Sequence, residues 1–126
     1  SDTATAVACA QVGFTLGGLG EPAEAERLLR AAAPSLDGHH RFSCLYNLGV
    51  VLTKLGRAQE ALEPLREAIS LDPDQLQASL AYANALADAG DIENARATYN
   101  ALLQDSRLSD NLRSLAQKRL ATLPGS

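Results

Sequence analysis

The side chains best suited to chemistry lie close together at His39, His40 and Cys44. A thiol beside an imidazole is the raw material of a cysteine nucleophile, and histidine with cysteine supplies the nitrogen and sulfur donors that zinc takes. Cys44 stands four residues beyond His40, a separation that brings side chains together at a helix start. Neither chemistry closes. His39 and His40 are adjacent and point differently, and no third ligand or orienting carboxylate has suitable spacing. A solvated loop is the plainer reading for the histidines. For Cys44, and for Cys9 in another helical pattern, it is a buried free thiol, because two cysteines are too few for a disulfide scaffold.

Other candidates are weaker still. Glu60, Glu63 and Glu67 share an outer helix with Arg57 and Arg66, which makes them a charged solvent face rather than an acid/base pair. Gly17, Gly18 and Gly20 lack both a preceding strand and a following Lys-Ser or Lys-Thr, so they form no phosphate loop. The expectation is a non-catalytic protein with no cofactor and no metal.

The elements that position these residues repeat. Between Arg41 and Pro73, Leu45, Leu48, Gly49 and Leu52 share one face of a helix that Gly56 breaks; Ala61, Leu65 and Ala68 line a second helix that ends before Pro73. Shifting back by 36 residues places Cys9, Val12, Gly13 and Leu16, then Ala25, Leu29 and Ala32, on the same positions. Shifting forward by 34 gives Ser79, Tyr82, Ala83 and Leu86, then Ala95 and Tyr99. Glu21-Pro22 and Asp91 read as starts of second helices. The two extra residues of the first interval fall in Pro34 to Arg41, where a bulging loop is expected. Pro64 lies inside the second helix of the central copy and should bend it. From Ser109 a last helix carries Leu112, Leu115, Ala116 and Leu120 on one face, with Arg113, Lys118 and Arg119 on the rest; it suits a cap over the exposed end of an array.

This spacing resembles the tetratricopeptide repeat, whose pattern runs aromatic, Leu-Gly and Tyr on one helix, then Ala, Phe and Pro on the next. Leu45, Leu52 and Leu65 stand where that family prefers aromatics. The resemblance implies an all-α fold: a right-handed superhelix of three antiparallel helix hairpins, an α-solenoid, closed by the capping helix. The whole of residues 1–126 is then one domain, with repeats at about 5–39, 42–75 and 76–107 and the cap at about 109–122.

Composition agrees with close-packed helices. The chain has 126 residues, 46% hydrophobic and only 4% aromatic, so Ala, Leu and Val must build the core. Its 11 basic and 15 acidic residues are scattered rather than blocked, giving −4 overall, which argues against nucleic acid or an anionic membrane as partner. No apolar run approaches the roughly 18 residues of a membrane helix. A cytoplasmic location is expected, with allowance for a removed leader or preceding domain because the chain opens on Ser1.

Each first helix carries a second stripe that the hairpin core does not use. In the central copy it is Ser43, Tyr46, Asn47, Val50 and Lys54; in the first, Val7, Ala10, Gln11, Phe14 and Gly18; in the third, Gln77, Leu80, Ala81, Asn84 and Asp88. The resemblance implies that first helices line a concave face, which makes these stripes a groove. Three hairpins stacked at about 10 Å span roughly 30 Å, enough for about eight or nine residues of extended chain. Phe14, Tyr46, Val50 and Leu80 offer apolar contact, and Gln11, Asn47 and Asn84 offer amides; Phe14 and Leu80 read equally well as core between repeats. The family's clamp for a chaperone's C-terminal carboxylate needs cations and amides of which only Asn47 is present, since Ala10, Phe14, Gln77 and Ala81 occupy the other positions.

The leading reading is therefore a scaffold that binds a short, largely uncharged peptide or helix of a partner protein. The alternatives are a structural module that self-associates into a homo-oligomer through an exposed hairpin face, and a regulatory or adaptor piece of a larger enzyme.

Overall fold

The computed structural model describes residues 20–125. Helices α1 (Pro22–Ala32), α2 (Gly38–Lys54), α3 (Ala58–Leu71), α4 (Leu76–Asp88), α5 (Ile92–Leu103) and α6 (Asp110–Ala121) follow in order, with a short 3-10 turn at Ala33–Ser35. Cys9, Gln11, Val12, Gly13, Phe14 and Leu16, with the rest of the expected first helix, lie outside the described residues.

Two hairpins, α2 with α3 and α4 with α5, are made by the same turn. After α2, Gly56 adopts φ 78° and lets Arg57 N–H reach Leu52 O at 2.9 Å while Gly56 N–H reaches Thr53 O at 3.1 Å. After α4, Gly90 adopts φ 90°, and Asp91 N–H meets Leu86 O at 2.9 Å and Gly90 N–H meets Ala87 O at 3.1 Å. These paired bonds satisfy carbonyls that the helix end would otherwise leave open, and glycine takes the left-handed conformation without steric cost. Pro22 opens α1 and the Asp91 side chain accepts from Asn94 N–H to open α5, as the sequence suggests.

Inside each hairpin the buried crossing mixes small residues with one large side chain from the second helix, Leu65 or Tyr99. Ala61, Leu65 and Ala68 on α3 are 0% exposed, as are Ala95 and Tyr99 on α5 and Ala83 on α4. At Gly49 on α2 a Cβ would fall 2.3 Å from Leu65 Cγ, so the two backbones are as near as glycine permits. Between repeats α1 packs on α2, α3 on α4, and α2 directly on α4. Among the described residues α1, α3 and α5 make no backbone approach to one another. The first helices are thus drawn together while the second helices splay, which places α2 and α4 on the inner side of the array. The architecture is an all-helical solenoid of stacked pairs.

Two local expectations change. Pro34 to Arg41 is not a bulging loop: Pro34 lies in the 3-10 turn, Leu36 is 4% exposed, and α2 already begins at Gly38, so His39 and His40 are helical. Burying Leu36 anchors the connection, and Arg41 ties it down by donating to Ala33 O at 2.6 Å and to Glu67 at 2.6 Å. Helix α3 continues from Ala58 to Leu71 with Pro64 inside it, where the sequence places it. Pro64 has no N–H to give Glu60 O; its ring lines an open crevice of about 500 Å³ with Ala33, Pro34, Leu45 and Leu48.

The second change concerns α6, which packs on α5 and α4 where a cap belongs and does so through Leu112, Ala116 and Leu120 of the expected face, but leaves Leu115 of that face outside. Ala116 is 0% exposed, Leu112 and Leu120 are partly buried, and Leu115 stands 44% exposed. Polar anchors add to this packing. Ser109 caps its first turn by accepting from Leu112 N–H at 3.2 Å, Arg113 donates to Leu103 O at 2.9 Å, and Arg96 donates to Pro124 O at 2.6 Å.

Candidate interaction face

On α2 the candidate residues follow at intervals of three and four, which puts them on one face of the helix. Ser43, Tyr46, Asn47 and Val50 are partly exposed and Lys54 is exposed. Phe42, one turn before Tyr46, is 3% exposed and supports the tyrosine from beneath: the rings lie 6.2 Å apart at an interplanar angle of 3°. Partial burial pushes the Tyr46 phenol above its ordinary pKa, so it is a neutral hydroxyl at physiological pH. Tyr46, Asn47 and Ser43 make no side-chain hydrogen bond to any described residue, and Lys54 has no carboxylate partner among them. The α2 face therefore offers a phenol hydroxyl, an amide and a cation with no polar partner among the described residues.

The matching stripe of α4 is different. Leu80 is 6% exposed and belongs to the core between repeats, not to an open groove. The close approach of α2 to α4 and of α3 to α4 covers it. Asn84 and Asp88 are held by the end of α6. Arg119 donates from Nε to Asn84 Oδ1 at 3.1 Å and to Tyr99 Oη at 3.3 Å, and from Nη2 to Asn84 O at 3.3 Å and Asp88 Oδ1 at 3.0 Å. Tyr99 in turn donates its hydroxyl to Asn84 Oδ1. Burial pushes the Tyr99 phenol up, opposed by its contact with Arg119.

Tyr99 and Arg119 were not singled out by sequence reasoning as members of this face. One signal was present: a tyrosine at a core position of a second helix brings a hydroxyl that must find a partner when buried. Gln11 and Phe14 lie outside the described residues. Ser43, Tyr46, Asn47, Val50 and Lys54 come together on α2; Asn84 and Asp88 come together on α4, under Arg119.

The imidazole and thiol side chains do not converge into a reactive centre. Cys44 is 1% exposed and its thiol donates to Leu29 O at 3.2 Å. Burial pushes it up to about 11, so the thiolate form is scarce at neutral pH. His39 and His40 are exposed, and His39 stacks 6.5 Å from Phe42. Among the described residues no three His, Cys, Asp or Glu side chains group to hold a metal. Glu60, Glu63 and Glu67 pair with Arg57, Arg66 and Arg41. No helix of the described residues is long and apolar enough to cross a membrane.

Stacked hairpins with glycine turns, small residues at the crossing and a polar inner stripe define a class of helical repeat protein that presents a surface to other proteins. Comparison with family models settles which: one tetratricopeptide repeat model matches residues 4–74 and a second matches residues 52–123. The chain belongs to the tetratricopeptide repeat family, whose repeats mediate protein–protein interaction. No curated protein matches the chain.

Proposed function

We propose that this chain is a non-catalytic scaffold that binds a short peptide or helix of a partner protein along the inner face of α2. The observation that carries this reading is the uncommitted polarity of Tyr46 and Asn47. Two adjacent, partly covered side chains, one with a donor and acceptor hydroxyl and one with a primary amide, have no hydrogen-bond partner among the described residues. Such groups lose hydrogen bonds to water on being covered and regain them only from a ligand that offers backbone or side-chain polar atoms. Ser43 and Val50 extend the contact on one side and the other, and Lys54 ends it with a positive charge. Gln11 and Phe14 of the preceding repeat complete the groove in this reading, whereas Leu80 does not.

A displayed library of nine-residue peptides, selected on the wild-type chain, tests the assignment. Peptides recovered in this way should bind the Tyr46→Ala, Asn47→Ala double variant at least about tenfold more weakly, the equivalent of one lost hydrogen-bonded contact. Equal affinity for wild type and double variant, with unchanged thermal melting, would remove the groove from α2.

A further inference from the structure

The Arg119 fork has a geometry that goes beyond capping. Its Nε and Nη2 reach four acceptors, namely Asn84 Oδ1, Asn84 O, Asp88 Oδ1 and Tyr99 Oη, at 3.0 to 3.3 Å. One of these acceptors belongs to a fully buried residue, Tyr99, whose hydroxyl is itself fixed by donating to Asn84 Oδ1. Four oxygens within reach of one edge of the side chain, one of them charged, are matched to a guanidinium fork and poorly matched to an ammonium, which presents its donors from a single point. Asn84 and Asp88 occupy, on α4, the stripe that corresponds to Val50 and Lys54 on α2.

The helix that delivers Arg119 is lightly held. Ala116 is its only residue with no exposure, Leu112 and Leu120 are only partly buried against the core, Leu115 is 44% exposed, and hydrogen bonds at its two ends complete the anchoring. A helix with so little apolar burial opens at a lower free energy than the hairpins beneath it.

We propose that Asn84, Asp88 and Tyr99 form a guanidinium-binding site in the inner face of α4, which Arg119 fills as a built-in occupant and which an arginine of a bound protein segment fills when α6 lifts. The proposal rests on the groove reading and extends it: the partner segment carries an arginine one repeat beyond its contact with Tyr46 and Asn47. While α6 is down, this part of the groove is closed, so binding of the partner and seating of α6 exclude each other.

The test uses the full chain carrying Ala116→Asp and Arg119→Ala, in which a buried charge lifts α6 and the site is vacant. The probes are a synthetic peptide of residues 109–123 and the same peptide with alanine in place of Arg119. The side-chain amide resonance of Asn84 reports occupancy, and protection of the α2 and α3 amides reports that the hairpins stay folded. The arginine peptide should bind at least about tenfold more tightly than the alanine peptide and shift the Asn84 resonance, as expected for charge-assisted hydrogen bonds. Equal affinity of the two peptides, or no shift of Asn84 with either at millimolar concentration, overturns the proposal. A second arm needs only Arg119→Ala: ethylguanidinium should shift Asn84 saturably and ethylammonium should not, and equal effects of the two ions likewise overturn it. Neither arm touches Tyr46 or Asn47, so failure here is separable from failure of the α2 groove.

Discussion

Gly49 on α2 and Leu65 on α3 are packed so that a Cβ on the glycine would meet Leu65 Cγ at 2.3 Å and Cδ2 at 2.5 Å. Leu65 is 0% exposed, so it cannot move aside into solvent. Two effects compete in Gly49→Ala. Alanine favours the helix by about 1 kcal/mol over glycine, while forcing a methyl into a filled contact costs roughly 1–3 kcal/mol, more where the neighbour is struck at a branch point. Since the collision falls on the branch carbon, the steric effect wins, and urea denaturation should show a net loss of about 1–2 kcal/mol. Ala61→Leu, which also overfills this crossing, should lose roughly 1–3 kcal/mol. Adding Leu65→Ala to Gly49→Ala should cost less than the sum of the single changes, because the cavity accepts the methyl. Additivity would show that the two residues do not share the contact.

The hairpins could be read from sequence because their signals are local. Gly56 and Gly90 sit where the backbone must turn left-handed, and the small residues Ala61 and Ala95 recur one helix later. The shortfalls lie where the answer depends on which neighbour arrives. Helical spacing put Leu80 on the α4 stripe, but the approach of α3 and α2 buries it. Spacing also grouped Leu115 with Leu112, Ala116 and Leu120, which pack inward, yet Leu115 stands outside and Arg119 reaches in to four acceptors on α4 and α5. The start of α2 was placed too late because Gly38 is a poor helix former, and only the anchoring of Leu36 and Arg41 by their neighbours extends the helix to it. The α2 stripe is legible as a pattern; its role is the proposal that the peptide selection tests.

Acid should loosen the connection between the last repeats. Arg107 hydrogen-bonds the Asp105 side chain and also reaches Asp74 at 2.5 Å, and the Arg107 contacts hold the Asp105 carboxyl down at about 2 from an ordinary 3.8. A carboxyl depressed in the folded state binds fewer protons there than in the unfolded chain, so its stabilising contribution is complete above the unfolded value and is lost as pH falls through the folded one. The loss from this group therefore falls between pH 3.8 and about 2. Urea midpoints across that range should decline more steeply for wild type than for Asp105→Asn. Parallel profiles would mean that Arg107 does not favour the ionised form.

Cys44 should be inert in the folded chain. Its thiol is 1% exposed, bonded to Leu29 O and pushed up to about 11, so both access and thiolate fraction are low. In a Cys9→Ser background, which leaves Cys44 as the sole thiol, a disulfide-exchange reagent at neutral pH should react only at the rate at which the protein opens, and at once in denaturant. Prompt reaction of the native chain would place Cys44 at the surface and contradict the packing of α1 on α2.

The Tyr99, Asn84 and Arg119 cluster allows a directional prediction about unequal losses. Tyr99→Phe removes the hydroxyl but leaves Asn84 Oδ1 still accepting from Arg119 Nε at 3.1 Å, so no acceptor is orphaned. The expected cost is about 1 kcal/mol, that of one ordinary hydrogen bond. Asn84→Leu instead leaves the Tyr99 hydroxyl in a buried position without its acceptor and takes one side-chain oxygen from Arg119. Desolvating a group that stays unpaired costs about 1–3 kcal/mol, and weakening a charge-assisted bond adds to it, so this variant should be the less stable of the two. The double variant Tyr99→Phe, Asn84→Leu removes both partners and should recover part of the loss. Thermal and urea unfolding of the three proteins measure the order directly. If Tyr99→Phe proved the most damaging, the hydroxyl would owe its importance to Arg119 alone rather than to the amide of Asn84.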